Sequence, residues 1–504
     1  MYLRVFGEAL LGAGLSVVDA ADSRTSGEEA GRRQGYVGAK HDRATDAYGT
    51  GTSQDEATEA SSFLASHVSS GHSLRKAESP QPNVTELQIS FGFWGVIVLT
   101  GGAAGLAGGL LMRLLRVAQH LSYSYRTGDF LQGVEQTSGL RRVVVLTLAG
   151  VLAAGVLYSM KALRAKSGGS LSEAVWKRSG EMPTAPTLIH SVLSIITVGM
   201  GVSLGREGAL KDTGGVAANK LSDWFGMTPA QRQLLVACGA GAGMAAAYNV
   251  PLGGALFAAE VLLGSLTLSA VLPAFAASFT GVAVSWLLLP NEPAYRIPAL
   301  EVSHSLILWA ILIGPIMGVL SVGYVRAIGW AQTHKPRGWQ IVALPLIVFI
   351  SLGLAAIKFP QILGNGKNIV QLTFSDQIAT GLLCWLIVLR PLAAVLCLRT
   401  GTPGGLFTPT MTLGALVGDA MGRVWNHLAP SNEISSYALI GSAALLAAAT
   451  LGPLSSAVFL LELTRKADSL MVPLLIATAG ATITARRCEV RSIYSARVEG
   501  RVSQ

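Results

Sequence analysis

The chain has 504 residues, 51% of them hydrophobic and 13% charged, with a mean hydropathy of +0.49. A water-soluble domain carries about 25% charged residues, so too little polar surface is present to cover a soluble globule, and the expected solvent is a lipid bilayer. The net charge of +9 reads as anchoring of cytoplasmic segments. The Lys and Arg residues are scattered and form no basic stripe interleaved with aromatics, which argues against nucleic acid as a partner.

Residues 1–88 are rich in Gly, Ser, Ala, Thr and charge, as in Ser23-Arg24-Thr25-Ser26-Gly27-Glu28-Glu29. This composition cannot bury a core, and a disordered tail is expected. The apolar run Ala9–Val18 has Glu8 beside it and a weak basic start, which argues against a signal peptide. From Ser90 apolar segments follow closely, at about 90–117, 142–163, 187–204, 231–249, 251–290, 303–330, 340–357, 378–398, 405–423, 436–450, 452–463 and 470–485. Several exceed the roughly 20 residues that span a bilayer, while others are too short. The short ones begin or end at Gly and Pro, such as Pro251, Gly404-Gly405 and Pro453. Broken helices are tolerated in lipid only where their backbone faces protein or a cavity.

The expected fold is an all-α membrane protein, a bundle of many tilted and broken transmembrane helices over residues 89–487. Residues 488–504 form a short basic cytoplasmic tail carrying Tyr494. Gly is abundant, at 58 residues, as suits close helix approach in lipid. Cys238, Cys384, Cys397 and Cys488 form no C-x-x-C pair, so metal binding and a disulfide framework are not supported and buried inert thiols are expected. Arg390, before Pro391, reads as an interfacial anchor, and His190 as a structural residue.

The membrane portion repeats itself in two halves, about 89–290 and 303–487. Ala245-Ala246-Ala247-Tyr248-Asn249-Val250-Pro251-Leu252, continuing to Glu260, parallels Ala447-Ala448-Ala449-Thr450-Leu451-Gly452-Pro453-Leu454, continuing to Glu462, at an offset of 202 (462 − 260). Gly205–Gly214 parallels Gly405–Gly414 at an offset of 200. Two related halves packed about a pseudo-two-fold axis place a transporter's substrate at their interface.

The repeated loops suit an anion. A helix N-terminus offers unpaired N–H groups and the positive end of the backbone dipole, and glycine lets an anion approach them. One loop is Gly205-Arg206-Glu207-Gly208-Ala209 and the other Gly404-Gly405-Leu406-Phe407-Thr408-Pro409. A nucleotide phosphate loop would need a Gly-Lys-Ser/Thr ending and a preceding strand, and has neither. A carboxylate among such donors mimics the anion, so Glu207 is expected to block the site when ionised and to swing away when protonated. The plain alternative is a structural salt bridge from Glu207 to Arg206 or Lys211.

On these residues the chain resembles the CLC family of chloride channels and chloride/proton exchangers, from about Gly101 to Tyr494. Gly205-Arg206-Glu207-Gly208 is similar to the family motif G-[KR]-E-G-P, with Ala209 in place of Pro. Gly405-Leu406-Phe407-Thr408-Pro409 is similar to its G-x-F-x-P motif, and Tyr494 stands where the family has a pore tyrosine. The Gly-Arg-Glu-Gly-Ala variant looks most like the bacterial voltage-gated-channel-like branch. The resemblance implies the family's inverted-repeat bundle and a homodimer with one pore per subunit. It implies a gating role for Glu207 and chloride contacts from Gly205, Arg206, Gly208, Gly405, Leu406, Phe407 and Tyr494. The G-S-G-I-P motif is degraded to Lys166-Ser167-Gly168-Gly169-Ser170, where Ser167 and Gly168 would still contact chloride and Lys166 either attracts anions or snorkels to headgroups. Exchangers of the family carry a second, inner glutamate, and that position falls at Val261. Glu260 precedes it but points about 100° away on a helix and reads as a structural glutamate like Glu462.

The expectation is therefore a chloride-selective channel conducting passively and gated at Glu207, with a proton-coupled antiporter using a different inner proton route as the alternative. Expected partners are chloride, other small anions such as bromide or nitrate, protons as gating ligand, and membrane lipids. No cofactor or metal is expected, and neither H-E-x-x-H nor G-x-S-x-G appears, so an enzyme is not expected. A multi-pass protein of a bacterial inner membrane, with both termini cytoplasmic, completes the reading.

Overall fold

The computed structural model describes residues 90–502 except 126–127, 164–170, 178–179, 299, 430–432, 466–467 and 489–490. The expected tail over 1–88, and Lys166, Ser167 and Gly168, lie outside the described residues. The chain divides into Met1–Lys76 and Ala77–Gln504, and every described residue belongs to the second unit.

Eighteen α-helices and no strand are found among the described residues. The first half holds α1 (Phe91–Tyr123), α2 (Phe130–Gln136), α3 (Gly139–Ala162), α4 (Leu171–Lys177), α5 (Thr184–Gly199), α6 (Glu207–Trp224), α7 (Pro229–Tyr248), α8 (Pro251–Leu256, running on as a π-helix over Phe257–Leu263) and α9 (Leu268–Ser285). The second holds α10 (His304–Thr333), α11 (Gln340–Lys358), α12 (Lys367–Phe374), α13 (Thr380–Arg399), α14 (Phe407–Leu428), α15 (Ile434–Thr450), α16 (Pro453–Thr464), α17 (Met471–Arg487) and α18 (Ile493–Val502). By length and composition α1, α3, α9, α10, α11 and α13 can cross a membrane, whereas α5, α8, α15 and α16 are shorter apolar pieces. Leu148 and Val151 on α3, and Ile347 and Leu354 on α11, are more than half exposed, as lipid-facing side chains are.

Local signals explain the breaks. Thr228 starts α7 with a reciprocal capping box to Gln231 and Pro229 in the first turn. The helix stops at Asn249, which is left-handed at φ 59°, and Pro251 opens α8. In the second half α15 stops at Leu451, φ 60°, and Pro453 opens α16. Asn tolerates this conformation, whereas Leu451 carries a cost of roughly 1–2 kcal/mol that the fully buried helix before it holds in place.

Small residues bring the helices together. A Cβ on Gly414 of α14 would lie 2.6 Å from the carbonyl oxygen of Gly441 on α15. Gly214 of α6 meets Gly239 of α7 in the same way, and Gly101 and Gly105 of α1 meet Ala277 and Gly281 of α9. Backbone contact of this kind replaces the apolar driving force that lipid removes.

Four expectations change. The single run 251–290 is two elements, because Gly264 ends the π-helix at φ 64°. The segment expected over 187–204 stops at Gly199, which frees residues 200–206 to lead into a new helix at Glu207. Part of the tail forms α18, packed on α10 with Ile493, Tyr494 and Val498 buried; a ten-residue, Arg-containing helix is too short to declare itself by periodicity. Cys238 and Cys397 are buried but Cys384 and Cys488 are exposed, because Cys384 sits on the outward face of α13 and Cys488 follows the end of α17.

Candidate functional site

The two glycine-rich loops meet at one point. Gly205 N–H donates to the Gly405 carbonyl at 2.9 Å, and Gly405 N–H donates back to the Gly205 carbonyl at 2.7 Å. The two residues form an isolated antiparallel bridge. Equivalent residues of a repeat that exchange equivalent hydrogen bonds define a local two-fold axis, which passes between these glycines. Two residues beyond the bridge, α6 begins at Glu207 and α14 at Phe407, so two helix N-termini converge on the axis.

The Glu207 side chain crosses to the other half. Its Oε1 accepts from Phe407 N–H at 2.5 Å and Thr408 N–H at 3.2 Å, and its Oε2 from the Thr408 hydroxyl at 3.1 Å and the Tyr248 hydroxyl at 3.4 Å. The Tyr248 and Thr408 hydroxyls lie 2.7 Å apart. The residue is 1% exposed. The N-terminus of α14 provides unpaired N–H groups and a positive dipole end, which is what stabilises a buried carboxylate lacking a cation. Among the described residues Glu207 makes no ion pair with Arg206 or Lys211, so the salt-bridge alternative does not describe this site.

Each expected contact residue except Ser167 and Gly168, which lie outside the described residues, now has a place. A Cβ on Gly205 or Gly405 would collide with the Glu207 carboxylate, and one on Gly208 would lie 2.9 Å from Gly405 N. The N–H groups of Gly205 and Gly405 donate to each other's carbonyls, so these glycines tie the two loops together and make room for the carboxylate. Leu406 is buried at the head of α14, and Thr408 rather than Leu406 provides the second N–H. Arg206 stacks its guanidinium 4.6 Å from the centre of the Tyr248 ring. Tyr494 is buried, with its ring 5.7 Å from Phe257. Val261 is buried against Gly452.

Two cavities flank Glu207. One, of about 360 Å³, is lined by Gly208, Ala209, Lys211, Gly404, Tyr494 and His190 among others. The other, of about 350 Å³, is lined by Arg206, Tyr248, Arg116, His120 and Lys367 among others. Among the described residues they share no lining residue, and Glu207 lies in the chain between Arg206 of one and Gly208 of the other. Both contain several cations and few carboxylates, Asp212 in the first and Asp129 and Glu292 in the second.

Two further features were invisible beforehand. Arg390, expected at an interface, is fully buried. Its Nη1 donates to the Ser203 hydroxyl and to the Ile362 carbonyl at 2.9 Å, and its Nη2 to the Gly364 carbonyl at 2.8 Å, so it braces the loop leading to Glu207. Glu260 accepts from Leu454 N–H at 3.2 Å and Ser455 N–H at 2.7 Å. Glu462 accepts from Leu252 N–H at 3.1 Å and Gly253 N–H at 2.6 Å. Each glutamate caps the short helix of the other half, which explains its recurrence in register. Tyr248 and Thr408 were also missed as carboxylate ligands; the repeat sets Tyr248 against Thr450, a difference that marks position 248 as specialised in one half.

Residues 149–486 match the family described as voltage gated chloride channel. The chain is 30% identical over 413 residues to a protein of Salmonella typhimurium named voltage-gated ClC-type chloride channel ClcB, covering 79% of this chain and 97% of that one. It is 31% identical over 382 residues to the protein of the same name in Escherichia coli, covering 73% and 89%. Among solved structures, a slow cyanobacterial Cl−/H+ antiporter superposes with a TM-score of 0.72 at 22% identity, over 82% of this chain and 98% of that one. A CLC-type fluoride/proton antiporter superposes with a TM-score of 0.66 at 19% identity, over 81% and 97%. At these identities the likeness to the solved structures is one of fold.

Proposed function

Because this chain belongs to the voltage-gated chloride channel family, the CLC proteins, whose members carry anions across membranes, we propose that it moves chloride through the Glu207 site and that this movement is coupled to protons. The observation that carries the reading is the Glu207 carboxylate seated on the N–H groups of Phe407 and Thr408, between two cation-lined cavities.

The carboxylate is a tethered competitor of the anion. While ionised it holds charge-assisted hydrogen bonds, roughly twice as strong as neutral ones, and fills the seat. On taking a proton it loses its charge and with it most of the advantage of the helix N-terminus. The side chain then leaves, and chloride takes the N–H groups and the Thr408 hydroxyl. Its return as a carboxylate releases the proton and expels the anion. No full charge touches the seat, so chloride is held without being trapped. Ser167, Gly168 and Tyr494 complete the proposed anion contacts by resemblance.

Coupled exchange takes precedence over passive conduction because, in this reading, the blocking group leaves on binding a proton, and two solved proteins of this fold are titled proton-coupled antiporters. Passive conduction is the second reading. It is favoured by Val261, which carries no proton, by the commitment of Glu260 to Leu454 and Ser455, and by the names of the bacterial relatives.

The test uses purified protein in sealed liposomes with an outward chloride gradient, recording chloride and external pH together. Proton uptake against its own gradient, driven by chloride, supports exchange. Chloride efflux without proton uptake selects passive conduction, and absence of chloride flux at every pH sinks both readings. Glu207→Gln, permanently uncharged, is expected to abolish both proton coupling and acid activation. A bromide and nitrate series in the same vesicles measures selectivity.

A further inference from the structure

Lys211 stands one helical turn after Glu207 on α6, so the two side chains issue from the same face. It is 5% exposed, and its ammonium lies 4.0 Å from the centre of the Tyr494 ring. Among the described residues the ammonium donates no hydrogen bond to protein and has no carboxylate within the 4.0 Å of an ion pair; its one ring contact is the face of Tyr494, and Asp212 and Glu207 act on it only at longer range. Asp212 is adjacent in sequence and issues about 100° around the helix. A buried ammonium with three N–H donors needs acceptors. Lys211 lines the cavity of about 360 Å³, together with Lys161, Lys335, Arg497 and the carboxylate of Asp212. Its acceptors therefore come from the cavity, where the described lining carries four cations against the one carboxylate of Asp212, a balance that favours an anion.

We propose that the Lys211 ammonium, fixed by the ring of Tyr494, is the ligand of a small inorganic anion held in the cavity on the Tyr494 side, separate from the seat that Glu207 fills. This rests on the reading of the protein as a chloride carrier. It adds a full positive charge to a path whose seat is built from neutral N–H and O–H groups. Such a charge raises the residence of the anion and lowers the rate at which it leaves. Lys211 is thus an affinity-determining residue, with chloride or bromide as its ligand.

The test is calorimetric titration of chloride into the purified full-length protein, equilibrated in gluconate, for wild type, Lys211→Met, Lys211→Arg and Glu207→Gln. Loss of one charge-assisted contact predicts that Lys211→Met weakens chloride binding about tenfold, that Lys211→Arg retains most of it, and that Glu207→Gln binds at least as tightly as wild type. Lys211→Gln makes the same test if the Met variant does not give folded protein. Unchanged chloride affinity and stoichiometry in a folded Lys211→Met protein overturns the assignment and leaves the Glu207 reading standing. Absence of chloride binding in both wild type and Glu207→Gln overturns the two together.

Discussion

Among the described residues three glutamates reach across the boundary between the halves to accept N–H groups at the start of a helix, and they divide into two kinds. Glu260 and Glu462 are reciprocal: each caps the other half, at equivalent positions of the repeat, with nearly equal distances. Glu207 has no such twin. At the offset of 200 its counterpart is Phe407, the residue whose N–H it accepts. The same interaction is a clasp where the symmetry is kept and, in the function proposed here, a removable occupant where it is broken. A symmetric pair leaves no vacant donors in either half. At the broken position Glu207 alone among the described residues accepts the Phe407 and Thr408 N–H groups, and under the proposed function these donors turn to chloride once that side chain leaves.

The clasp should yield the largest structural losses. Glu260→Ala frees one exposed and one partly buried N–H group, a loss of about 1–3 kcal/mol in all, and Glu462→Ala, whose two bonds are both partly buried, should cost at least as much. Thermal stability in detergent, followed by size-exclusion, measures both; a large difference between them would show that the halves are not energetically equivalent. Gly405→Ala comes next. Its Cβ meets the Glu207 carboxylate and lies 2.7 Å from Gly208 N, an overpacking of about 1–3 kcal/mol that should drive Glu207 from its seat and flatten the pH dependence of chloride flux.

Smaller changes act on the occupant alone. Thr408→Val removes a hydroxyl donor to the carboxylate while leaving both N–H groups, about 1 kcal/mol. Losing a donor to the charged form favours protonation, so acid activation of flux should shift to higher pH with little change in stability. Tyr248→Phe should shift it in the same direction by less, a few tenths of a kcal/mol, since its bond to Glu207 is long at 3.4 Å and long hydrogen bonds are weak. A Tyr248→Phe effect larger than that of Thr408→Val would mean that Tyr248 acts on the proton itself and not merely on the geometry of Thr408.

Much of this was legible from residue order. The shortage of charge named the solvent, the Gly and Pro breaks marked the short helices, and the repeat at 200 and 202 residues pointed to Glu207 and to the Gly205 and Gly405 loops. Arg390 was misread because a lone arginine in an apolar run carries no sign of carbonyl oxygens contributed by Ile362 and Gly364 from elsewhere. Glu260 read correctly as structural, but its partners, Leu454 and Ser455, could not be named. Lys211 was weighed only as a salt-bridge partner, since nothing in its neighbours shows the ring of Tyr494 more than two hundred residues away.

What the sequence by itself determined is therefore what local periodicity and repetition encode: an all-helical chain in lipid, two related halves, and an ionisable residue at the head of a broken helix. The tertiary structure alone decided which N–H groups that carboxylate accepts, that the bridging glycines spend their own N–H groups on each other, and that an ammonium is left facing a cavity. The physical reason is range. Helix formation and capping depend on residues within a few positions. The seat of Glu207 depends on docking two halves so that residues 200 apart approach within 3 Å, and only the packed arrangement of both sets that distance.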